Sequence, residues 1–151
     1  MSLLIDTNVL LRIADSQSFG HPVASAALNN LRSNDIDTFI CAQVIVEFWA
    51  VATRPESANG LGWPVTKTTE AIREIRSQFP LLAETADGLD RWLDLVSRCQ
   101  VSGKHVHDAR LAALAMANGV TRFLTFNISD FPSNWGVEAI HPKQLANTIA
   151  L

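Results

Sequence analysis

Apolar residues follow two alternating patterns along the chain. Short continuous apolar runs, typical of strands buried on both faces, alternate with longer segments in which apolar positions lie three or four residues apart, the spacing of an amphipathic helix. The short runs predict strands at residues 3–5, 38–41, 79–84, 122–126 and 137–140. The longer segments predict helices at residues 9–13, 22–31, 43–53, 66–78, 87–99 and 106–118, and from residue 142 onward.

Residues that interrupt regular structure mark several of these boundaries. Asn34 and Asp35 separate a helix from a strand, Pro55 ends another helix, and Gly119 stands where a left-handed C-terminal cap is favoured. The segment 55–64 contains two glycines and two prolines, and we interpret it as a surface loop rather than a linker between domains.

The alternation of strands and helices predicts the fold class. It is typical of a parallel sheet that is covered by helices on both faces. A length of 151 residues suits one domain, and the chain contains no internal repeat or low-complexity tract. We therefore expect a single α/β domain over residues 1–151, with a roughly five-stranded parallel sheet.

Composition sets limits on location and redox chemistry. A hydrophobic content of 48% with 18% charged residues is ordinary for a folded protein. No apolar run approaches the roughly 20 residues of a membrane span, and the N-terminus lacks a secretory signal pattern, so we expect a cytoplasmic protein with no membrane partner. Cys41 and Cys99 are too few for a disulfide framework and are interpreted as reduced packing residues.

Charge and missing motifs narrow the chemistry. The net charge of −3 provides no overall attraction to nucleic acid, although carboxylates that bind divalent cations would contribute to this total. The four histidines have no zinc-ligand spacing and are assigned surface or structural roles. The sequence has no Gly-x-Ser-x-Gly, no phosphate-binding glycine loop and no Gly-x-Gly-x-x-Gly. Metal-assisted hydrolysis is the reaction type that remains.

Three acids lie where strands pass into helices. Asp6 directly follows the first strand, and in parallel sheets ligands bind beyond the carboxyl ends of the strands. A helix N-cap is the alternative role for Asp6, and the two roles are compatible. Asp108 opens an apolar helix, where the helix macrodipole alone favours a negative charge.

Glu47 is harder to explain as a purely structural residue. It interrupts the apolar segment 44–51, and a helix of that composition is expected to be largely buried. A buried carboxylate needs a cation, a hydrogen-bond partner or a route to solvent. A salt bridge to Arg54 or Arg12 is the structural alternative. Carboxylates gathered at one edge of a sheet would repel one another, and Mg²⁺ or Mn²⁺, which prefer oxygen ligands, would relieve that repulsion.

Four segments resemble the PIN-domain family in their order and spacing. They are LIDTNVL at 4–10, VEF at 46–48, HDAR at 107–110 and LTFNISDF at 124–131, and the likeness spans nearly the whole chain. The resemblance implies a five-stranded parallel sheet with helices on both faces, whose acids bind Mg²⁺ or Mn²⁺ to cleave single-stranded RNA.

The resemblance also implies roles for individual residues. The metal ligands and catalytic acids would be Asp6, Glu47 and Asp108, with Asp130 chosen as the fourth acid. Asn127 occupies a position where the family places Asp or Asn, and it competes with Asp130 for that assignment. Residues that would support the metal ligands or contact RNA are Thr7, Asn8, Thr125, Asn127, Arg12, Arg54 and Arg110.

Some residues near these motifs have two interpretations. Arg12, Arg54, Lys104 and Arg110 flank the acids in sequence and are candidates to bind RNA phosphates, with surface solubility as the alternative. Aromatic residues at apolar helical positions are more often core than base-stacking platforms, so we interpret three tryptophans as core residues, namely Trp49, Trp63 and Trp92. The apolar face predicted for the helix at 87–99 consists of Leu89, Trp92, Leu93 and Val96.

The bare domain and its segment 54–64 are similar to the toxins of VapBC-type toxin–antitoxin pairs. That likeness implies a homodimer, a small VapB-like antitoxin that covers the site, and inhibition of translation and growth. Two alternatives share the fold: an RNA-processing nuclease without an antitoxin, and a catalytically inactive binding module. A phosphoreceiver is disfavoured because Asp6 lacks an adjacent acid, and a dehalogenase-type phosphatase is disfavoured because Asn8 replaces the second Asp of the Asp-x-Asp motif.

Overall fold

The computed structural model describes residues 1–146 and contains all the predicted strands and helices. The strands are β1 (Ser2–Ile5), β2 (Asp37–Cys41), β3 (Leu81–Leu82), β4 (Arg122–Leu124) and β5 (Glu138–Ile140). The helices are α1 (Thr7–Ala14), α2 (His21–Ser33), α3 (Ala42–Thr53), α4 (Val65–Gln78), α5 (Gly88–Arg98), α6 (His105–Ala117) and α7 (Pro142–Ala146). Short 3₁₀ helices occupy Glu56–Ala58, Ile128–Asp130 and Ser133–Trp135. The prediction for the chain beyond residue 146 lies outside the described residues.

The five strands form one parallel sheet in the order β3-β2-β1-β4-β5. The chain moves outward from β1 to β2 and β3, and then returns past β1 to continue with β4 and β5. Because such crossovers are right-handed, this reversal places α1–α4 on one face and α5 and α6 on the other. The last helix, α7, packs against α2. The predicted fold class is confirmed, and the reversal of direction lies between β1 and β4.

The core lies on both faces of the central strands. Leu3, Leu4 and Ile5 of β1 are at most 1% exposed, as expected for a strand covered on both sides. On β4, Phe123 stacks on Phe131 with ring centroids 4.4 Å apart. Four buried alanines of α6 belong to this core; they are Ala109, Ala112, Ala113 and Ala115.

Local backbone features agree with the predicted boundaries. Gly119 follows α6 with φ +74°, the left-handed conformation that glycine adopts without steric cost. The helix α3 ends at Thr53, two residues before Pro55.

The strand β4 is shorter than predicted, since the amide of Phe126 donates to the side chain of Asn8 instead of extending the sheet.

The apolar face predicted for α5 is partly wrong. Leu95 is the buried residue of this helix, with Trp92 and Val96 packed beside it. Leu89 and Leu93 are 71% and 53% exposed. The helix contacts α6 through a narrower stripe than its composition suggests, so two of its leucines lie beyond the edge of the core.

The cysteines and two of the tryptophans have the packing roles expected of them. Both cysteines are free, and burial raises the pKa of the Cys41 thiol, which keeps it protonated. Trp63 packs edge-on against Phe48, and the indole of Trp92 donates to the carbonyl of Val106 at 2.9 Å. All three tryptophans predicted as core residues, Trp49 included, are partly exposed, but among residues 1–146 only Trp63 and Trp92 of these three pack against the buried core. None of the helices within residues 1–146 has the length and apolar character needed to cross a bilayer.

Candidate active site

The four predicted acids line one open cavity of about 350 Å³ at the carboxyl edge of the sheet. Asp6 follows β1, Glu47 lies in α3 after β2, and Asp130 ends the 3₁₀ helix after β4. Asp108 reaches the same cavity from the first turn of α6, on the opposite face of the sheet. Acids more than a hundred positions apart in the sequence therefore meet beyond the ends of β1 and β4, where the order of the strands reverses.

Asp6 is the most buried of these acids, at 8% exposure. One carboxylate oxygen accepts the amide of Thr7 at 2.8 Å, which confirms its N-cap role in α1. The other oxygen accepts the Thr125 hydroxyl at 2.8 Å and the Asn8 side-chain amide at 3.1 Å. Burial raises the pKa of Asp6, the hydrogen bonds from Thr125 and Thr7 oppose that rise, and the charges of Glu47 and Asp130 add to it.

Asn8 and Thr125 connect α1 to the loop after β4. The side-chain oxygen of Asn8 accepts the amide of Phe126 at 3.0 Å, and its amide group donates to the Thr125 hydroxyl oxygen at 3.1 Å. The same hydroxyl oxygen accepts the amide of Asn127 at 3.0 Å. Because Thr125 is fully buried, it supports Asp6 and has no surface with which to contact a substrate.

Glu47 is held by hydrogen bonds rather than by an ion pair. The Thr7 hydroxyl and the Gln43 side-chain amide each donate to its carboxylate at 3.0 Å. The structural alternative, a salt bridge to Arg54 or Arg12, is not present among residues 1–146.

The expectation that α3 is largely buried is wrong. Only one stripe of the helix is buried, formed by Val44, Phe48 and Ala52, whereas Val46 is 67% exposed. The carboxylate of Glu47 is therefore half-buried and opens into the cavity.

Gln43 is a supporting residue that sequence reasoning missed. Its amide group also donates to the carbonyl of His107 at 2.9 Å, and its side-chain oxygen accepts Arg110 at 2.7 Å. Arg110 in turn donates to Glu84 at 2.8 Å. Gln43 precedes Glu47 by four residues, which on a helix places both on one face, and this spacing was the available signal. The network joins α3 to the residue immediately before Asp108.

The three arginines predicted near the acids have different positions. Arg54 lines the cavity. Arg12 donates to the carbonyl of Asn8 at 3.0 Å and lies over the ring of Phe126, 4.1 Å from its centroid. Arg110 is engaged with Gln43 and Glu84. These contacts make Arg12 and Arg110 supports of the surrounding structure, and they leave Arg54 as the arginine in the cavity.

The surroundings of Asp108 disfavour the ionised form of its carboxyl group. Partial burial, followed by the charges of Asp130, Asp6 and Glu47, raises its pKa to about 7, and Lys104 opposes this rise. The ring nitrogen Nδ1 of His105 lies 4.0 Å from the Asp108 carboxylate. Four acids thus share a cavity whose lining includes a single arginine.

The donors fit a hard divalent cation. Among residues 1–146, no three Asp, Glu, His or Cys side chains stand close enough together to hold a metal ion as placed. Mg²⁺, however, is commonly bound by one or two carboxylates and keeps several water molecules, and the cavity supplies carboxylate and amide oxygens around an open volume. A divalent cation would also offset the repulsion that raises the pKa of Asp6 and Asp108. The residues fit Mg²⁺ or Mn²⁺ with a partly retained water shell.

The raised pKa of Asp108 predicts that Asp108→Asn stabilises the metal-free protein. A carboxyl whose pKa is higher in the folded state than in the unfolded state loses stability as pH rises from about 4 to about 7. The side chain is 30% exposed, and solvent screening reduces the effect to about 1–2 kcal/mol at pH 8. The gain should be near zero at pH 4.

Urea denaturation in EDTA at both pH values measures this gain. Asp37→Asn is the matched control, because Asp37 is exposed at the opposite edge of the sheet and should change the free energy of unfolding by less than about 0.5 kcal/mol. A difference between Asp108→Asn and the unmodified protein that does not depend on pH would contradict the prediction.

Solved structures of other proteins share this fold. A chain of VapBC2 from Rickettsia felis, bound to a promoter DNA fragment, has a TM-score of 0.70 at 14% identity and covers 93% of this chain and 98% of its own. FitAB bound to the IR36 DNA fragment gives 0.64 at 16% identity, covering 95% and 96%. Mycobacterium tuberculosis VapC20, described as a sarcin-ricin loop cleaving toxin, gives 0.55 at 13% identity, covering 89% and 92%. At these identities the likeness establishes the fold alone.

A search of curated protein sequences finds no match to this chain. The family model for the PIN domain matches residues 3–132, a segment that contains all but the first residue of β1, the strands β2 to β4 and all four acids of the cavity. The chain therefore belongs to the PIN-domain family.

Proposed function

We propose that the protein is an endoribonuclease that uses Mg²⁺, or Mn²⁺ in its place, to hydrolyse RNA phosphodiester bonds. The observation that carries this proposal is the convergence of Asp6, Glu47, Asp108 and Asp130 in one cavity of a PIN domain. The structural likeness to VapC20, a toxin that cleaves the sarcin-ricin loop, supports an RNA substrate.

Asp6, Glu47 and Asp108 would hold the metal ion, in part through the water molecules that it retains. When bound, the ion would lower the pKa of a water molecule and stabilise charge on the phosphate. The protein prepares these ligands by fixing their orientation. Thr125 and Asn8 orient Asp6, while Thr7 and Gln43 orient Glu47. Such contacts to ligating side chains commonly change metal affinity ten- to a hundredfold.

Asp130 is proposed as the fourth acid in preference to Asn127. Both residues line the cavity, so their position alone does not separate them. The negative charge of Asp130 acts on both Asp6 and Asp108 and raises the pKa of each. A carboxylate that close to two others adds to the charge that a cation would neutralise. The neutral amide of Asn127 is then suited to hold a water molecule.

Arg54 is proposed to bind an RNA phosphate. It lines the acid cavity, and a guanidinium can form paired hydrogen bonds with phosphate oxygens. The active protein would then combine one fixed cationic side chain with a bound divalent cation.

We further propose that the protein is the toxin of a bacterial toxin–antitoxin pair. Support comes from the structural neighbours, two of which are the paired assemblies VapBC2 and FitAB. In this proposal a small VapB-like antitoxin covers the acid cavity, the toxin is a cytoplasmic homodimer, and cleavage of RNA inhibits translation and growth.

Metal-dependent cleavage is the first expected outcome. Purified protein should cut single-stranded RNA with Mg²⁺ or Mn²⁺ and lose this activity in EDTA. Asp108→Asn should lower the rate by more than about a hundredfold, because it removes one metal-binding carboxylate while the fold persists. Gel analysis of end-labelled RNA measures the rate, and Asp37→Asn should cut at the normal rate. Cleavage that persists in EDTA, or full activity of Asp108→Asn, would refute the proposal.

Gln43→Ala should raise the Mg²⁺ concentration that gives half-maximal activity by about tenfold, because Glu47 would lose one of its two hydrogen-bond donors. The rate at saturating Mg²⁺ should remain within about threefold of normal, which separates a positioning role from loss of a catalytic group. Gln17→Ala, at an exposed position near the end of α1, is the control and should leave the Mg²⁺ requirement unchanged. A lower rate with an unchanged Mg²⁺ requirement would contradict the positioning role.

The toxin proposal predicts that induced expression in a bacterial host arrests growth, because uncontrolled RNA cleavage halts translation. Asp108→Asn is the informative variant, since it should be inactive yet at least as stable as the natural chain. Growth curves and immunoblots of both strains measure the effect at equal protein levels. Normal growth of cells that contain the active enzyme would count against a toxin and favour an RNA-processing nuclease.

A further inference from the structure

A second cavity of about 430 Å³ meets the acid cavity at Asp130, which lines both. Two segments form its walls: residues 99–105, which connect α5 to α6, and residues 129–135, which follow β4. Its volume lies within the usual range of small-ligand sites. A flexible polymer bound at the four acids could therefore place its neighbouring monomer in this second cavity.

The lining of this cavity suits a neutral group that carries both hydrogen-bond donors and acceptors. Its walls include the amide side chains of Gln100 and Asn134 and the hydroxyls of Ser102 and Ser129. None of the lining residues, all within residues 1–146, is lysine or arginine, so the cavity has no fixed cation for a phosphate. Val101, Pro132 and the buried Trp135 also line the cavity and add apolar surface to it. The faces of a flat ring stack on surface of this kind.

The polar groups of this lining are largely uncommitted. Within the described part of the chain, the side chains of Ser102, Ser129 and Asn134 form no hydrogen bonds. The amide group of Gln100 donates to the carbonyl of Ser97 at 2.9 Å, which leaves its side-chain oxygen as an acceptor. The cavity thus offers an acceptor, two hydroxyls and a second amide to an incoming ligand.

The backbone at Gln100 is held in an unfavourable conformation. Its φ is +53°, in the left-handed region where a side chain costs about 1–2 kcal/mol. Gly103, three residues later, adopts the same region with φ +62°, and there the chain uses glycine. At Gln100 the chain retains an amide side chain at a position that glycine would occupy with less strain. Gln100 follows the C-cap of α5, where the left-handed turn also ends the helix and the Val101 amide donates to the Val96 carbonyl at 3.0 Å.

We propose that this second cavity binds the base of a nucleotide next to the cleaved bond, and that Gln100 and Asn134 read its edge. The inference rests on the proposed ribonuclease function. Single-stranded RNA is recognised through unstacked bases whose edges present donors and acceptors and whose faces lie on apolar groups. An amide side chain can donate one hydrogen bond to a base edge and accept another from it. With the phosphate at the acids, the shared wall at Asp130 places the neighbouring base within reach of both amides.

The test is to sequence the ends produced from a pool of single-stranded RNA of random sequence, with Mg²⁺ present. The natural chain should favour one base at a position adjoining the cut. Gln100→Gly and Asn134→Ala should each reduce that preference about three- to tenfold, the effect of losing one hydrogen bond. Cleavage of the disfavoured sequences should stay within about twofold of normal, since neither residue lies in the acid cavity.

The variants also separate recognition from folding. Gln100→Gly should have a free energy of unfolding equal to or above that of the natural chain, because glycine tolerates the positive φ. Asp35→Gly is its matched control: Asp35 has φ +52° in the turn between α2 and β2, at the opposite edge of the sheet, and this variant should keep the full base preference. Asn134→Ala makes the same test without changing a left-handed residue.

Each other outcome has a definite meaning. If the natural chain cleaves RNA and the variants keep its base preference, the cavity is not a base subsite and the proposed nuclease function stands. Cleavage by the natural chain without any base preference overturns the subsite in the same way. If the natural chain cleaves no RNA with Mg²⁺ or Mn²⁺, the proposed function fails and the subsite fails with it.

Discussion

Asp6 lies at the end of β1, where the order of the strands reverses. The structure around it depends on hydrogen bonds to its buried carboxylate. The backbone amide of Asp6 donates to the carbonyl of Leu124 in β4 at 3.0 Å. This hydrogen bond joins the ends of β1 and β4 just before the two segments diverge. The Asp6 carboxylate then accepts hydrogen bonds from the start of α1 and from Thr125 beyond β4. A charged group at 8% exposure would be costly without these donors. The same donors orient the carboxylate toward the cavity.

The cavity concentrates repulsion between carboxylates at one edge of the sheet. Partial burial of Asp108, together with the charges of the three other acids that face the same cavity, raises its pKa to about 7. The protein compensates with neutral donors, such as Thr7 and Gln43 on Glu47, rather than with ion pairs. Neutral donors stabilise each carboxylate without neutralising it. The site therefore retains negative charge for a cation to neutralise, which a salt bridge to Glu47 would have removed.

The sequence was most informative where function depends on local order along the chain. Asp6 and Asp108 are placed by their own strand and helix boundaries, and these could be read directly. Gln43 was missed because its partner, the carbonyl of His107, is 64 residues away and a main-chain carbonyl leaves no trace in the side-chain pattern. The exposure of Leu89 and Val46 was missed for a related reason: composition shows that a helix is apolar, whereas the width of its contact depends on the neighbouring helices.

The distribution of positive charge links metal binding to substrate binding. The chain has a net charge of −3, and two of the three arginines near the acids are held by Asn8, Gln43 and Glu84 rather than facing the cavity. Without a cation, the four carboxylates would repel an RNA phosphate more strongly than Arg54 alone could attract it. A divalent ion would offset part of this negative charge and present a positive centre to a phosphate oxygen at a distance of a few ångströms, within the range that physiological salt does not screen. In the function proposed for this cavity, the same ion that activates water would therefore also make RNA binding favourable.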